Sequence, residues 1–323
     1  MSHSSFSKDG LGAAWSNRGT LIAFVLPVLV GGSNAVAVRF SNLELPPFWG
    51  AAIRFAAAAL IFWIIVIVRR IALPKGRALI GALLYGLLAI GASYAFLYWG
   101  LVRVQAGLTM VVLAFVPLMT LFFALAHGLE TFRWRGLIGA LISIAGILLA
   151  VGGGLGTAVP VPSLLALVAG AACMAEGSVV FKLFPKSHPV ATNALAFTTG
   201  ASLLLGLSLV AGEEWNLPTG SNTWAAFFYL VLIGSVVLFY LYLYVLARWT
   251  ASATAYSFLL FPVATVVIAA WLAGEVVTTS FVMGGALVLA GVGVGAISPN
   301  GQLMVRFAGW RRTFMREDRI HVN

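Results

Sequence analysis

A chain of 323 residues that is 61% hydrophobic and only 9% charged has too little polar surface to cover itself in water. Its mean hydropathy of +1.03 is that of a polytopic membrane protein. The formal charge of +10 does not call for nucleic acid, because membrane topology and anionic lipid at an inner leaflet account for it.

A helix needs about 20 apolar residues to cross a bilayer. The apolar runs between charge clusters predict about ten such helices, near residues 20–39, 48–68, 78–98, 105–126, 134–152, 161–183, 190–211, 223–246, 252–273 and 278–297. A β-barrel would show short alternating segments instead, so the expected class is an all-α polytopic membrane protein. Residues 1–19 are polar and form an N-terminal segment. Ala35-Val36-Ala37 resembles a signal cleavage site, but the run before it is longer than a signal core.

In the first span, Gly31-Gly32-Ser33-Asn34 is a small, polar patch at mid-depth. It fits close packing with Ser33 and Asn34 bonding between helices, and it equally fits a cavity wall. The second span carries Arg54 about six residues, or roughly 9 Å, below its outer end. A cation there is costly unless paired, hydrated or snorkelled; the functional reading is a contact for a substrate carboxylate. Glu176 of the sixth span lies roughly 13 Å further along the normal, too far for a direct ion pair.

The third, eighth and ninth spans hold every tyrosine. Tyr98, Tyr242 and Tyr244 fit an interfacial belt, whereas Tyr85, Tyr94, Tyr229, Tyr240 and Tyr256 are candidates for a cavity wall. Steps of 100° put Tyr229, Ile233, Val236 and Tyr240 on one stripe. The same steps put Tyr85 and Tyr94, nine residues apart, on opposite faces, so at most one of them should line a central cavity. The fourth and ninth spans carry Pro117 and Pro262 near their middles, where a proline kinks a helix and marks a hinge or a static bend. Glu130 and Glu275 come just after these spans and are expected to cap the helix that comes next.

In the sixth span Glu176 is either a hydrogen-bonded structural acid or a proton relay, and Cys173, the sole cysteine, is expected to pack. Residues 299–323 mix aromatics with five arginines, as in a basic amphipathic tail on the inner membrane surface.

The chain repeats itself. A constant shift of 145 positions, the distance from Pro117 to Pro262, also places Arg103 on Arg248, Thr109 on Thr254, Thr120 on Thr265, Glu130 on Glu275, Gly139 on Gly284 and Gly146 on Gly291. The repeats, residues 20–152 and 161–297, hold five helices each, so the second enters the membrane from the opposite side and the two are inverted. With the N-terminus inside, sixteen basic residues fall on the cytoplasmic side and two outside, which the positive-inside rule favours. Both termini are therefore expected in the cytoplasm.

There is no GxxxxGK[ST] loop, and no metal site, cofactor site, carboxylate pair or Ser/His constellation can be assembled within the membrane. An enzyme is not expected, and a channel filter is not evident.

Two inverted five-helix repeats, Trp49-Gly50 and Arg54-Phe55 opening helix two, a mid-helix proline in helices four and nine, and a glutamate just after each resemble the EamA-type drug/metabolite transporter superfamily. Within it the chain looks most like the bacterial YddG-type exporters of aromatic and other amino acids. The resemblance implies an inner-membrane carrier of amino acids and small metabolites, working between its halves, in a bilayer with an anionic inner leaflet. It is expected to act as a monomer. The seventh helix has no counterpart of Arg54. The alternatives are a sugar-phosphate or nucleotide-sugar exchanger, which would want more cavity cations, and a structural or lipid-scrambling protein.

Overall fold

The computed structural model describes residues 9–104, 109, 112–151, 160–264 and 279–296. Their regular structure is entirely helical: α1 (Asp9–Ser41), α2 (Pro47–Val68), α3 (Arg77–Leu101), α4 (Val116–Ala126), α5 (Trp134–Val151), α6 (Val161–Leu183), α7 (Pro189–Val210), α8 (Ser221–Leu246), α9 (Ala251–Ala264) and α10 (Thr279–Ala296). Five of them, α2, α3, α6, α7 and α8, are long and apolar enough to span a membrane, and the apolar stretches of the others are shorter. Pro47, Pro117, Pro162 and Pro189 each lie in the first turn of a helix, where the missing N–H costs no intrahelical bond. Leu60, Ile67, Leu141, Leu165, Val282 and Met283 are exposed on the bundle's outside, as lipid contact requires.

The inversion is visible where α5 meets α10. These two helices are 145 residues apart at both ends, and they cross so closely that Gly139 faces the backbone of Gly291 while Gly146 faces Gly284. Between them, the Ser143 hydroxyl donates to the carbonyl of Val288, its own repeat image, at 3.2 Å. Rising numbers on α5 meet falling numbers on α10. Equivalent helices packed antiparallel are what a two-fold axis in the membrane plane generates. The same relation pairs α1 with α8 and α6 with α3, while α2 packs along α7.

Two local irregularities depart from the sequence expectations. Both α3 and α8 contain a π-helical stretch, Gly86–Ala92 and Leu232–Val237, at matching positions in the repeats. Each extra residue in a π turn rotates the remainder of its helix by about 100°, which cuts the separation of Tyr85 and Tyr94 from about 180° to about 80°. Both therefore face the same space, against the expectation that only one would. The π turn in α8 likewise breaks the stripe drawn from Tyr229 to Tyr240. The fourth span is split by a turn at Ala114–Phe115, so Pro117 opens α4 instead of bending a continuous rod. The equivalent positions in α9, 259 and 260, are helical, and Pro262 lies inside that stretch.

The acidic caps also cross the repeats. Glu130 accepts from the amide of Ser252 in the first turn of α9 at 3.1 Å, instead of capping α5. Glu213 accepts from Phe48 and Trp49 at the start of α2, at 3.1 and 2.7 Å. Glu44 accepts from the Thr219 and Gly220 amides and from the Thr223 hydroxyl before and within α8. These bonds, that from Thr223 foremost, hold the Glu44 carboxyl down at about 2. A carboxyl lowered in the folded state contributes its stability above the ordinary carboxylate range and loses it only as pH falls toward 2, so this brace stays charged in moderately acidic media. Glu275 and the basic tail lie outside the described residues.

Candidate functional site

The helices α1, α3, α6 and α8 surround a cavity of about 850 Å³, with Arg54 of α2, Leu113 just before α4, and Phe258 and Phe261 of α9 completing its wall. It opens at the end of the bundle that bears the loops after α1 and α3, where Asn42, Leu43, Val102 and Arg103 form its mouth. Its floor is formed by Tyr85, Ser178, Tyr242 and Phe258. There the hydroxyls of Ser178 and Tyr242 bond at 3.0 Å and join α6 to α8. Repeat images line it together: Tyr94 with Phe239, Leu97 with Tyr242, and Leu113 with Phe258. The rings of Tyr94 and Phe239 lie 6.2 Å apart. The two-fold relation thus runs through the cavity itself.

Arg54 is the polar centre. Its side chain is 1% exposed and reaches from α2 to the π turn of α8. Nε donates to the Ser235 hydroxyl at 2.9 Å, Nη2 to the Gly234 carbonyl at 3.0 Å and Nη1 to the Tyr98 hydroxyl at 3.1 Å. The guanidinium also lies against the rings of Phe55 and Tyr94, at 5.0 and 5.6 Å. No carboxylate pairs with it among the described residues. A guanidinium has five N–H donors, so two remain for a ligand. The Gly234 carbonyl, within this π turn, accepts from Asn34 Nδ2 as well, at 3.2 Å.

Of the nine candidate site residues, Ser33, Asn34, Arg54, Tyr85, Tyr94, Glu176, Tyr229, Tyr240 and Tyr256, the structure brings Asn34, Arg54, Tyr85 and Tyr94 together in the cavity wall. The other five stand elsewhere. The Ser33 and Tyr229 hydroxyls bond to each other and tie α1 to α8. Tyr240 faces outward at 36% exposure. The Tyr256 hydroxyl donates to the Gly136 carbonyl at 2.8 Å, beyond the cavity floor. Glu176 leaves α6 on the side away from Met174 and Ser178 and pairs with Nε2 of His127, just past α4, at 2.7 Å; its other oxygen is buried without a partner.

Tyr98 and Tyr242, expected in an interfacial belt, are both buried in the cavity wall instead. Their hydroxyls are satisfied by Arg54 and Ser178, so neither needs water. Phe239, Phe258 and Phe261 also line the cavity, and sequence reasoning singles out none of them. Only Phe239 carries a signal, since it falls on Tyr94 under the 145-residue shift. Arg103 places a second cation at the mouth, where it is exposed to solvent.

Two inverted helical repeats that enclose a cavity closed at one end define a membrane carrier. Two matches to one family model, over residues 17–152 and 161–295, place the chain: it belongs to the EamA-like transporter family, of the drug/metabolite transporter superfamily. It is 30% identical over 254 residues, 76% of this chain and 80% of the other, to a protein named "Uncharacterized inner membrane transporter YedA" of Escherichia coli (strain K12). It is 31% identical over 226 residues, 68% of this chain and 73% of the other, to a "Probable terminal-alkyne amino-acid exporter" of Streptantibioticus cattleyicolor. A solved crystal structure superposes with a TM-score of 0.70 at 22% identity, covering 86% of this chain and 96% of its own, and shows the same fold.

Proposed function

We propose that the protein is a secondary transporter of the inner membrane that exports amino acids, aromatic ones included, and similar small amphipathic metabolites by alternating access. The observation that carries this reading is a buried guanidinium that has no carboxylate partner among the described residues, set among aromatic rings in a one-ended cavity. A substrate carboxylate completes the donor set of Arg54, and the side chain lies against Tyr94, Tyr85 and Phe239. The amino-acid exporter among its relatives fits that chemistry. Pro117 and Pro262 are the hinges. The carrier acts as a monomer, and its basic face meets the anionic inner leaflet.

In proteoliposomes, labelled phenylalanine or leucine is expected to show saturable counterflow. Dianions such as sugar phosphates should be carried at least about tenfold more slowly, because one buried cation does not neutralise a phosphate in a dehydrated site. Robust sugar-phosphate exchange by purified protein would overturn the assignment.

The cavity mouth faces outward in this reading, and both termini are cytoplasmic. With Cys173 replaced, single cysteines at Lys75 and Lys186 should resist a membrane-impermeant thiol reagent in intact cells, while one at Leu43, 72% exposed at the mouth, should react. Reversed labelling would invert the orientation.

A further inference from the structure

We propose that Glu130 is the positioning residue that keeps the cavity shut at its closed end, by capping the first turn of a helix that belongs to the other repeat. The inference rests on the alternating-access reading, although its test reads conformation without any substrate.

Three glutamates cap helices across the repeat boundary, and they are not alike. Glu44 joins α1 to α8 and Glu213 joins α7 to α2. Those helix pairs also pack along their lengths, so the two caps brace partners that stay together. Glu130 joins α4 to α9, which meet through the short opening segment Ala251–Ala255 beyond the cavity floor. Nearer the mouth the two segments stand on the cavity wall, with Leu113 before α4 and Phe258 within α9 lining the open space. Opening the closed end requires α4 and α9 to part where Glu130 sits.

The local chemistry makes this a latch. Gly128, with φ of +68°, ends α4 in a conformation only glycine adopts cheaply. The turn delivers Glu130 to α9. Thr250 caps its own helix by accepting from the Ala253 amide at 3.1 Å, while the Ser252 amide is satisfied by Glu130. A carboxylate on a helix N-terminus gains from both the hydrogen bond and the dipole. If α4 swings away, a partly buried amide is orphaned. Two neighbouring cross-repeat contacts, Phe24 with Trp249 at 5.0 Å and Tyr256 with Gly136 at 2.8 Å, are uncharged, and the His127–Glu176 pair ties the end of α4 to α6 and not to α9. Among the described residues Glu130 therefore supplies the charge-assisted contact between α4 and α9.

The test uses the full chain in nanodiscs, with Cys173 replaced and spin-label pairs at Leu129 and Arg248 for the closed end and at Leu43 and Val102 for the mouth. Without substrate, Glu130→Ala is expected to lengthen the closed-end distance and shorten the mouth distance, raising the population ratio of the opposite-facing state about tenfold or more. Glu130→Gln, which keeps an acceptor but loses the charge, should shift both distances the same way and less far. Unchanged distances at both ends in both variants would overturn the proposal, as would a merely lower thermal midpoint with the distances kept. If the alanine variant does not fold, the glutamine variant decides alone. Failure of amino-acid counterflow with these distance shifts intact would discard the substrate reading and leave the latch.

Discussion

Replacing Arg54 with leucine is expected to lower amino-acid counterflow by about a hundredfold or more and to destabilise the protein at the same time. The first effect comes from the loss of the charged contact that a substrate carboxylate needs in a water-poor cavity. The second comes from the groups that leucine leaves behind. The Ser235 and Tyr98 hydroxyls each lose a donor, at a cost of about 1–3 kcal/mol for each group left unsatisfied, while the Gly234 carbonyl loses one donor and keeps the bond from Asn34. The contacts of the cation with Phe55 and Tyr94 go as well. Arg54→Lys separates the two effects. An ammonium keeps the charge but cannot satisfy three acceptors in the plane of a guanidinium, so the lysine variant should fold, with a lower thermal midpoint, and carry amino acids about tenfold less well. If the leucine variant folded and kept the wild-type KM for counterflow, Arg54 would be a purely structural strut between α2 and α8.

What could be read from the sequence was set by the range of the interaction. Membrane class comes from composition, and inversion comes from an odd number of helices in a repeat of 145 residues, because neither depends on where a side chain points. The contact of Gly139 with Gly291 was not legible, because the shift places Gly139 on Gly284 and says nothing of which helices cross. The site was only half legible. Arg54, Asn34, Tyr85 and Tyr94 stand out as polar or aromatic groups deep in apolar runs. The faces they share are misjudged when a fixed 100° step is carried through Gly86–Ala92 and Leu232–Val237, whose π turns reset the phase. Small residues such as Gly86, Gly91 and Gly234 hint at irregularity, but glycine is too common among the apolar stretches of this chain for that to decide anything. Glu130 is legible as a cap but not as a cap of α9. Chain proximity favours α5, whereas the fold brings the first turn of α9 closer.

The glycines of α5 and α10 give the sharpest expected contrast in stability, because identical substitutions should change sign from one position to another. Helix association within a bilayer lacks a hydrophobic drive and depends on close backbone approach. A Cβ at Gly139 would stand 2.5 Å from both the Gly291 carbonyl oxygen and the Gly295 amide nitrogen, and one at Gly146 would stand 2.6 Å from the Gly284 carbonyl oxygen. These neighbours are backbone, so no rotamer change relieves the clash and the helices must separate. Gly139→Ala is therefore expected to cost about 1–3 kcal/mol through overpacking, less the roughly 1 kcal/mol that alanine contributes over glycine within a helix. At Gly285 and Gly293, also on α10, an added Cβ meets nothing within 4 Å. Only the propensity remains at those two sites, so alanine there should leave stability unchanged or raise it by up to about 1 kcal/mol. Thermal midpoints of the purified variants in one detergent would read the difference directly. Since Ser143 bonds the Val288 carbonyl at the same crossing, Gly139→Ala should also weaken that contact, and adding Ser143→Ala should then cost less than it does in the wild-type chain. A midpoint that rises in Gly139→Ala as it does in Gly293→Ala would mean that α5 and α10 do not cross this closely, and that the repeats meet along some other seam.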